Sequence, residues 1–205
     1  MTVKANKRQR CPQCTRPQTH CLCALIPSLP SRTRIVLIQH PDETKHALNT
    51  ARMTALGLHN AELIVAETVE NLERYLQQPG YRAGLLFPGE DAQQLSAYQT
   101  EQQPWLLVVP DGTWRKARRI LYCNPLLATL PRVTLPSGLR SRYRLRKAPD
   151  AQALATVEAV SNALAILEPA VDFSPLLKPF DALIEGQIQA MGAATYRRNH
   201  LIGDD

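Results

Sequence analysis

From residue 33 onward, short apolar runs alternate with longer amphipathic stretches. The apolar runs have the length expected of buried strands, and they cover residues 34–39, 61–65, 83–87, 105–109 and, in a shorter version, 132–135. The amphipathic stretches predict helices over residues 45–56 and 69–78, from 89 onward, from 114 onward, and over 156–167 and 179–191. This alternation predicts an α/β fold with a mostly parallel sheet and helices on both faces.

A polar tetrapeptide, residues 111–114, follows the apolar run at 105–109. It consists of Asp111, Gly112, Thr113 and Trp114, and it leads directly into a basic helical stretch. Polar groups at the carboxyl end of a parallel strand lie where α/β folds bind ligands. The competing interpretation is a turn in which Thr113 caps the next helix and Trp114 packs in the core.

The length of 205 residues fits one substantial domain with a small appendage. We place a small amino-terminal module at residues 1–30 and the main domain at 31–205, joined through a proline-containing linker at 24–33. No apolar run approaches the roughly 20 residues of a membrane span, and no secretory signal precedes the body. We therefore expect a cytoplasmic protein without a membrane partner. Neither a dinucleotide-binding glycine motif nor a phosphate loop occurs, which disfavours those enzyme classes.

Positive charge is concentrated in two blocks. Residues 1–35 carry seven Lys or Arg and no acid, and residues 112–147 carry ten with no acid. The other seven basic residues share the rest of the chain with all eighteen acids. Two basic blocks on an acidic body indicate a polyanionic partner, with nucleic acid first, although a single basic run is often only a solvated face.

Four arginines alternate with other residues in the second block: Arg140, Arg142, Arg144 and Arg146. In an extended segment, the two-residue period of a strand would put all four on one face. A row of guanidinium groups can bind successive phosphates of a nucleic acid.

Four of the five cysteines, Cys11, Cys14, Cys21 and Cys23, lie within thirteen residues. Clustered thiols in an intracellular chain are typical of metal binding, and the first pair has the two-residue gap of zinc-ribbon turns. Four thiolates would saturate tetrahedral zinc, so we expect a structural ion and no metal catalysis. A redox dithiol and a ligand role for His20 stay open as alternatives.

Several segments together resemble the DTW-domain proteins, which are tRNA-uridine aminocarboxypropyltransferases. They occur in the family's order and span nearly the whole chain: the cysteine cluster and residues 40–43, 49–50, 86–92, 111–117, 141–149 and 155–159. The resemblance implies transfer of the 3-amino-3-carboxypropyl group of S-adenosylmethionine to N3 of a tRNA uridine, at position 47 of the variable loop. 5′-Methylthioadenosine is the second product. The family's similarity to SPOUT-class RNA enzymes implies a knotted carboxy-terminal region. The oligomeric state is left open by the sequence.

On this resemblance we assign roles to three groups of residues. The expected catalytic residues are Asp111, Thr113 and Trp114. The expected S-adenosylmethionine-binding residues are Leu86, Pro88, Gly89, Glu90, Asp111, Gly112, Ser141, Tyr143 and Arg146. The expected RNA-binding residues are Arg115, Lys116, Arg140, Arg142, Arg144 and Lys147.

Asp111 is the candidate acceptor of the N3 proton, and the rival acceptors are Glu90, Asp91 and Glu158. An ordinary Asp pKa of about 3.9 makes a weak base, so this role requires burial or a like-charged neighbour. Three other functions stay open: a SPOUT-like methyltransferase, a non-catalytic zinc-containing RNA-binding protein and, least favoured, a zinc hydrolase.

Overall fold

The computed structural model of the chain describes residues 9–143 and 153–200. Its strands are β1 (Arg34–Gln39), β2 (Ala61–Val65), β3 (Arg82–Leu86), β4 (Gln93–Gln94), β5 (Trp105–Asp111) and β6 (Arg132–Thr134). They form one sheet in the order β2-β1-β5-β3-β6-β4, and neighbouring strands pair in parallel. The predicted parallel sheet is confirmed.

The helices lie on both faces of this sheet. They are α1 (Ala51–Gly57), α2 (Glu73–Leu76), α3 (Trp114–Cys123), α4 (Thr156–Leu167), α5 (Lys178–Met191) and α6 (Ala193–His200). Helices α4 and α5 contribute to one apolar cluster, which α1 borders, and α2 and α3 contribute to a second. The predicted covering of both faces is confirmed.

Strand β1 shows why the sequence favours this arrangement. Ile35 and Leu37 point into the first cluster, and Val36 and Ile38 point into the second. All four are fully buried, because successive side chains of a strand alternate between faces and both faces are covered. A continuous apolar run is the pattern that such a strand requires.

Three local predictions differ from the structure. Instead of a helix over 45–56, a 3₁₀ turn occupies Pro41–Lys45 and α1 begins at Ala51. The helix predicted over 69–78 shortens to α2, because Asn71 takes a left-handed φ of 51° just before it. The helix expected from Gly89 is absent. There the chain forms β4, since Gln93 and Gln94 pair with β6, and this tertiary pairing overrides the local helix signal.

The strand order predicts a ligand-binding crevice at the carboxyl ends of the central strands. Strand β5 lies between β1 and β3. After β2, at one edge of the sheet, the chain therefore passes over to β3 and β4 in the other half, and then returns to form β5 in the middle. In open parallel sheets, ligands bind at such a reversal, outside the carboxyl ends of the strands. The tetrapeptide 111–114 lies at this place, at the end of β5.

The cysteine segment packs against the body of the molecule. Arg16 donates hydrogen bonds to the carbonyl oxygens of Ala47 (2.8 Å) and Asn49 (3.2 Å). Further along, the Leu29 amide donates to the Gly57 carbonyl at 3.0 Å. The division into a module at 1–30 and a domain at 31–205 stays a prediction.

The connection from β6 to α4 runs through residues 144–152, outside the described residues. The knot and the SPOUT-like relation therefore stay predictions. Arg144, Arg146 and Lys147 also lie in this segment. Within 9–143 and 153–200, no helix is both long and apolar enough to cross a membrane.

Candidate active site

A cavity of about 520 Å³ opens at the carboxyl ends of β3, β5 and β6. Its lining includes Leu86 and Pro88 after β3, Gly112 and Trp114 after β5, and Thr156 at the start of α4. Residues 133–139 complete the rim. The volume is in the range of pockets that enclose a small organic ligand.

Asp111 is buried and lies in the chain between Pro110 and Gly112, which both line the cavity. Its carboxylate accepts hydrogen bonds from the Gln39 amide (2.7 Å) and from the Thr156 hydroxyl. Burial raises the pKa of Asp111 above its ordinary value, and the nearby Glu43 carboxylate raises it further, while the two hydrogen bonds act in the opposite direction. The burial that a basic role requires is therefore present, and Asp111 also joins β5 to β1 and α4.

Gln39 and Asn49 extend this network, and sequence reasoning gave Gln39 no role. The Gln39 amide nitrogen also donates to the Asn49 side-chain oxygen at 3.0 Å. Gln39 is fully buried and ends the apolar run of β1. A polar residue at the end of a buried strand, directly before His40, was the signal in the sequence that could have identified it.

The turn from β5 to α3 requires glycine and is capped by Thr113. Gly112 has a φ of 154°, and a Cβ there would lie 3.0 Å from the Lys116 Cβ. The Thr113 hydroxyl accepts from the Lys116 amide at 3.4 Å, as an N-cap does. Trp114 is 43% exposed and its ring meets Phe87 edge to face at 5.7 Å between centroids. Trp114 is therefore a cavity-wall residue and not a core tryptophan.

Glu158, in the first turn of α4, organises the segment that carries Ser141 and Arg142. Its buried carboxylate accepts from the Ser141 hydroxyl (2.7 Å), the Arg142 amide (2.6 Å) and the Ala155 amide (2.7 Å). With three donors already bound, this carboxylate is occupied in fixing the loop. Among the rival proton acceptors, Glu90 and Asp91 are exposed in the loop after β3.

A second polar cluster lies beside the turn, at the ends of β1 and β2. His40 Nδ1 accepts from the Asp42 amide at 3.3 Å, so Nε2 carries the proton and donates to Glu67 at 3.1 Å. Glu67 also accepts from Arg119 at 2.7 Å, and this bond lowers the pKa of the Glu67 carboxyl. Both ring nitrogens of His40 are thus hydrogen-bonded, one within the turn and one to Glu67 at the end of β2.

The predicted S-adenosylmethionine-binding residues are only partly gathered by the structure. Leu86, Pro88 and Gly112 line the cavity, and the buried Asp111 accepts a hydrogen bond from the lining residue Thr156. Gly89 packs under the Arg132 guanidinium, since a Cβ there would lie 2.6 Å from Nη1. The others among the described residues lie outside the lining: Gly89, Glu90, Ser141 and Tyr143. Tyr143 packs against Phe180, with centroids 5.8 Å apart.

Of the predicted RNA-binding residues that the structure describes, two form ion pairs with acids and two do not. Lys116 forms an ion pair with Glu43 at 2.7 Å, and Arg142 forms one with Asp181 at 3.0 Å. Arg115 and Arg140 are exposed, without an ion pair to a described residue. Residues 140–143 form no strand, so the expected row of arginines is not built by the described part of that segment.

The four clustered cysteines could hold a metal ion. Their sulfur atoms lie within 4.8 Å of one another, with Cys11 and Cys23 at 3.6 Å and Cys14 and Cys21 at 3.8 Å. Tetrahedral zinc with bonds of about 2.3 Å would separate its sulfur ligands by about 3.8 Å. Backbone N–H groups of Cys14 and Gln13 lower the pKa of Cys11 to about 6, whereas burial and the neighbouring thiols raise the pKa of Cys23 to about 12. The donor set fits a thiolate-bound metal.

A parallel α/β sheet, a ligand-sized cavity at the carboxyl ends of β3, β5 and β6 with Gly112 and Trp114 in its wall, and a separate cysteine cluster define the chain as an α/β protein with one candidate ligand site in the described residues. The model of the DTW domain matches residues 8–188. The chain belongs to the DTW domain family.

Proteins from animals and plants are similar to the chain over most of its length. The tRNA-uridine aminocarboxypropyltransferase 2 of Drosophila melanogaster is 32% identical over 194 residues, covering 89% of this chain and 76% of that protein. The protein of the same name from Macaca fascicularis is 31% identical, covering 97% and 70%. The tRNA-uridine aminocarboxypropyltransferase A of Arabidopsis thaliana is 28% identical, covering 80% and 74%. No solved structure matches the chain.

Proposed function

We propose that the protein is a tRNA-uridine aminocarboxypropyltransferase that uses S-adenosylmethionine as its donor. The observation that carries this proposal is the position of Trp114 and Gly112, from the family's motif, in the wall of the 520 Å³ cavity. The similarity to relatives that bear this name supports the reaction type. The SPOUT-like relation and the knot belong to the same proposal, supported by the parallel sheet.

The reaction is a displacement at a methylene carbon bound to a sulfonium. The bond from uridine N3 to this carbon forms while the carbon–sulfur bond breaks, and sulfur keeps the electron pair in neutral 5′-methylthioadenosine. The leaving group needs no acid, so the protein must align N3 with the correct carbon and accept the N3 proton. Alignment alone can contribute several kcal/mol, up to about 7–11 in the best models.

Asp111 accepts the N3 proton through the Thr156 hydroxyl in this proposal. Thr156 lines the cavity and donates to Asp111, so it connects the buried carboxylate to the ligand space. Burial raises the pKa of Asp111, which makes it a better base than an ordinary Asp. Trp114 packs on the uracil or adenine ring from the cavity wall, and Thr113 shapes the turn.

The cysteine cluster binds structural zinc in this proposal. Four thiolates leave no open coordination position, so zinc would supply folding energy and no chemistry at the uridine. The two basic blocks would contact tRNA phosphates, with Arg115, Arg140 and the predicted residues of 144–147 on the second block.

The test is incubation of the purified chain with S-adenosylmethionine and unmodified tRNA, followed by mass spectrometry of the small molecules and of the digested nucleosides. The expected products are 5′-methylthioadenosine and an aminocarboxypropyl-uridine in equal amounts. S-Adenosylhomocysteine with a methylated nucleoside would replace the proposal with a methyltransferase. RNA binding without either product would indicate a binding protein.

A further inference from the structure

The outer face of α3 is a stripe of cations that ends in an exposed aromatic ring. Arg115, Arg118, Arg119 and Tyr122 follow the i, i+3, i+4, i+7 spacing of one helix face, and all four are exposed. The opposite face buries Ala117 and Ile120 in the body. No acid occurs between residues 112 and 147, so the stripe has no internal charge compensation. We call these four residues the α3 stripe.

Tyr122 is 78% exposed, whereas the other exposed large apolar side chains of the described residues are 41–43% exposed. Its ring is nevertheless braced. The Arg119 guanidinium lies 5.6 Å from the ring centroid, and Arg119 is fixed by its 2.7 Å ion pair with Glu67. A ring ordered before binding loses less conformational entropy on complex formation.

The two other members of the stripe are uncompensated. Arg115 and Arg118 form no ion pair with a described residue, while their neighbours Lys116 and Arg119 are paired to Glu43 and Glu67. Free guanidinium groups bind phosphate oxygens, and an aromatic ring beside a guanidinium stacks on nucleobases. The chemistry of the stripe fits single-stranded RNA, which offers both groups.

The stripe also begins at the cavity. Trp114 starts α3 and lines the cavity wall, and Tyr122 lies eight residues further along the helix, about 12 Å at a rise of 1.5 Å per residue. An RNA strand with one base in the cavity would pass along this helix.

We propose that the α3 stripe is a second RNA site, at which Tyr122 stacks on an unpaired base near the reacting uridine while Arg115 and Arg118 bind the phosphates between them. This inference rests on the proposed function for its choice of RNA. It assigns nucleobase recognition to a surface outside the reaction cavity.

The test compares two probes, an oligouridylate of about 12 nucleotides and an abasic oligonucleotide of the same length, with the full chain. Tyr122→Ala is expected to weaken oligouridylate binding about tenfold and to leave binding of the abasic probe unchanged. Tyr122→Phe should bind both as the unmodified chain does. Arg118→Ala should weaken both and reduce the slope of log affinity against log salt by about 0.7. Arg74→Ala, which removes an exposed arginine on α2, is the matched charge control and should change neither.

The inference would be overturned by unchanged binding of oligouridylate to Tyr122→Ala, or by an equal loss of binding for both probes. Absence of binding of the unmodified chain to either probe at low salt would also overturn it. In turnover assays, Tyr122→Ala should raise the KM for tRNA and leave the KM for S-adenosylmethionine unchanged. Suppose that the unmodified chain makes methylthioadenosine, and that Tyr122→Ala matches it in oligouridylate binding and in the KM for tRNA. The α3 stripe is then not an RNA site, and the proposed function stands. If the unmodified chain makes none, the proposed function fails independently of the binding result.

Discussion

In the proposed reaction, the Asp111 side chain serves both structure and chemistry. Its carboxylate connects β5 to β1 through Gln39 and to α4 through Thr156. The burial that makes these connections strong also raises its pKa. Asp111 can therefore act as a base and as a structural junction at once. Mutants distinguish the two roles by whether kcat or KM changes.

Asp111→Asn and Thr156→Val are both expected to lower kcat by about 10²- to 10⁴-fold, the usual contribution of a positioned base, with little change in the KM for S-adenosylmethionine. Thr156→Ser keeps the hydroxyl and should keep most of the activity. Steady-state kinetics with tRNA and donor varied separately would check this. A raised KM with kcat preserved, or an inactive Thr156→Ser variant, would contradict the relay and leave Asp111 a purely structural role.

The raised pKa of Asp111 also predicts a pH dependence of stability. Since the folded state favours the protonated form, the contribution of Asp111 is complete below its ordinary pKa of 3.8 and is lost as the pH rises through its folded pKa. As the pH rises from 3.8 through the folded pKa, Asp111→Asn should therefore become more stable relative to the unmodified chain. Above the folded pKa, the difference in unfolding free energy between the two proteins should stay constant. Urea unfolding midpoints of both proteins across pH would measure the difference. A pH-independent difference, or one of opposite slope, would contradict the raised pKa.

Among the elements, the contact of β3 with β5 depends on a missing side chain. A Cβ at Gly84 would lie 2.5 Å from Cζ3 of the buried Trp105, which cannot move freely in the core. Gly84→Ala is expected to cost about 1–3 kcal/mol of unfolding free energy through overpacking. Gly186→Ala is the matched control, because Gly186 is exposed in α5 with open space around it and alanine favours a helix by about 1 kcal/mol. Chemical denaturation of both variants would test this, and a neutral Gly84→Ala would show that Trp105 can shift.

Packing and pairing of whole elements also explain which local predictions failed. Helix α4 occurs over the predicted residues because its apolar period is long and uninterrupted. The loop after Gly89 carries helix-starting acids, yet it became β4, since pairing with β6 depends on residues more than thirty positions away in sequence. A signal of two or three residues cannot compete with such long-range pairing.

For the whole molecule, the cysteine segment is linked to Asp111 by a chain of hydrogen bonds. Arg16, two residues after Cys14, donates to the Asn49 carbonyl, and the Asn49 side chain bonds Gln39, the partner of Asp111. If the cluster binds the proposed zinc, removal of the ion should therefore destabilise the body as well as the cysteine segment.

Cys14→Ser is expected to reduce the metal content and to lower the thermal midpoint by several degrees, given the folding energy of structural zinc. Cys123→Ser is the matched control, because Cys123 lies at the end of α3 outside the cluster, and its metal content should not change. Elemental analysis with scanning calorimetry would measure both effects. Full metal content in Cys14→Ser, or loss of metal without a change in midpoint, would contradict the structural role.

By itself, the sequence determined the parallel α/β class, the four-cysteine set and the family motif at the end of β5, because periodicity and spacing are local properties of the chain. The tertiary structure decided that Gln39 and Thr156 meet the Asp111 carboxylate, that Glu158 binds the loop of Ser141, and that Lys116 and Arg142 are neutralised by acids. These contacts join residues that are distant in sequence, and the strand order brings them together. The exposed ring of Tyr122 became visible in the same way, since burial is a property of the packed molecule and not of the helical period alone.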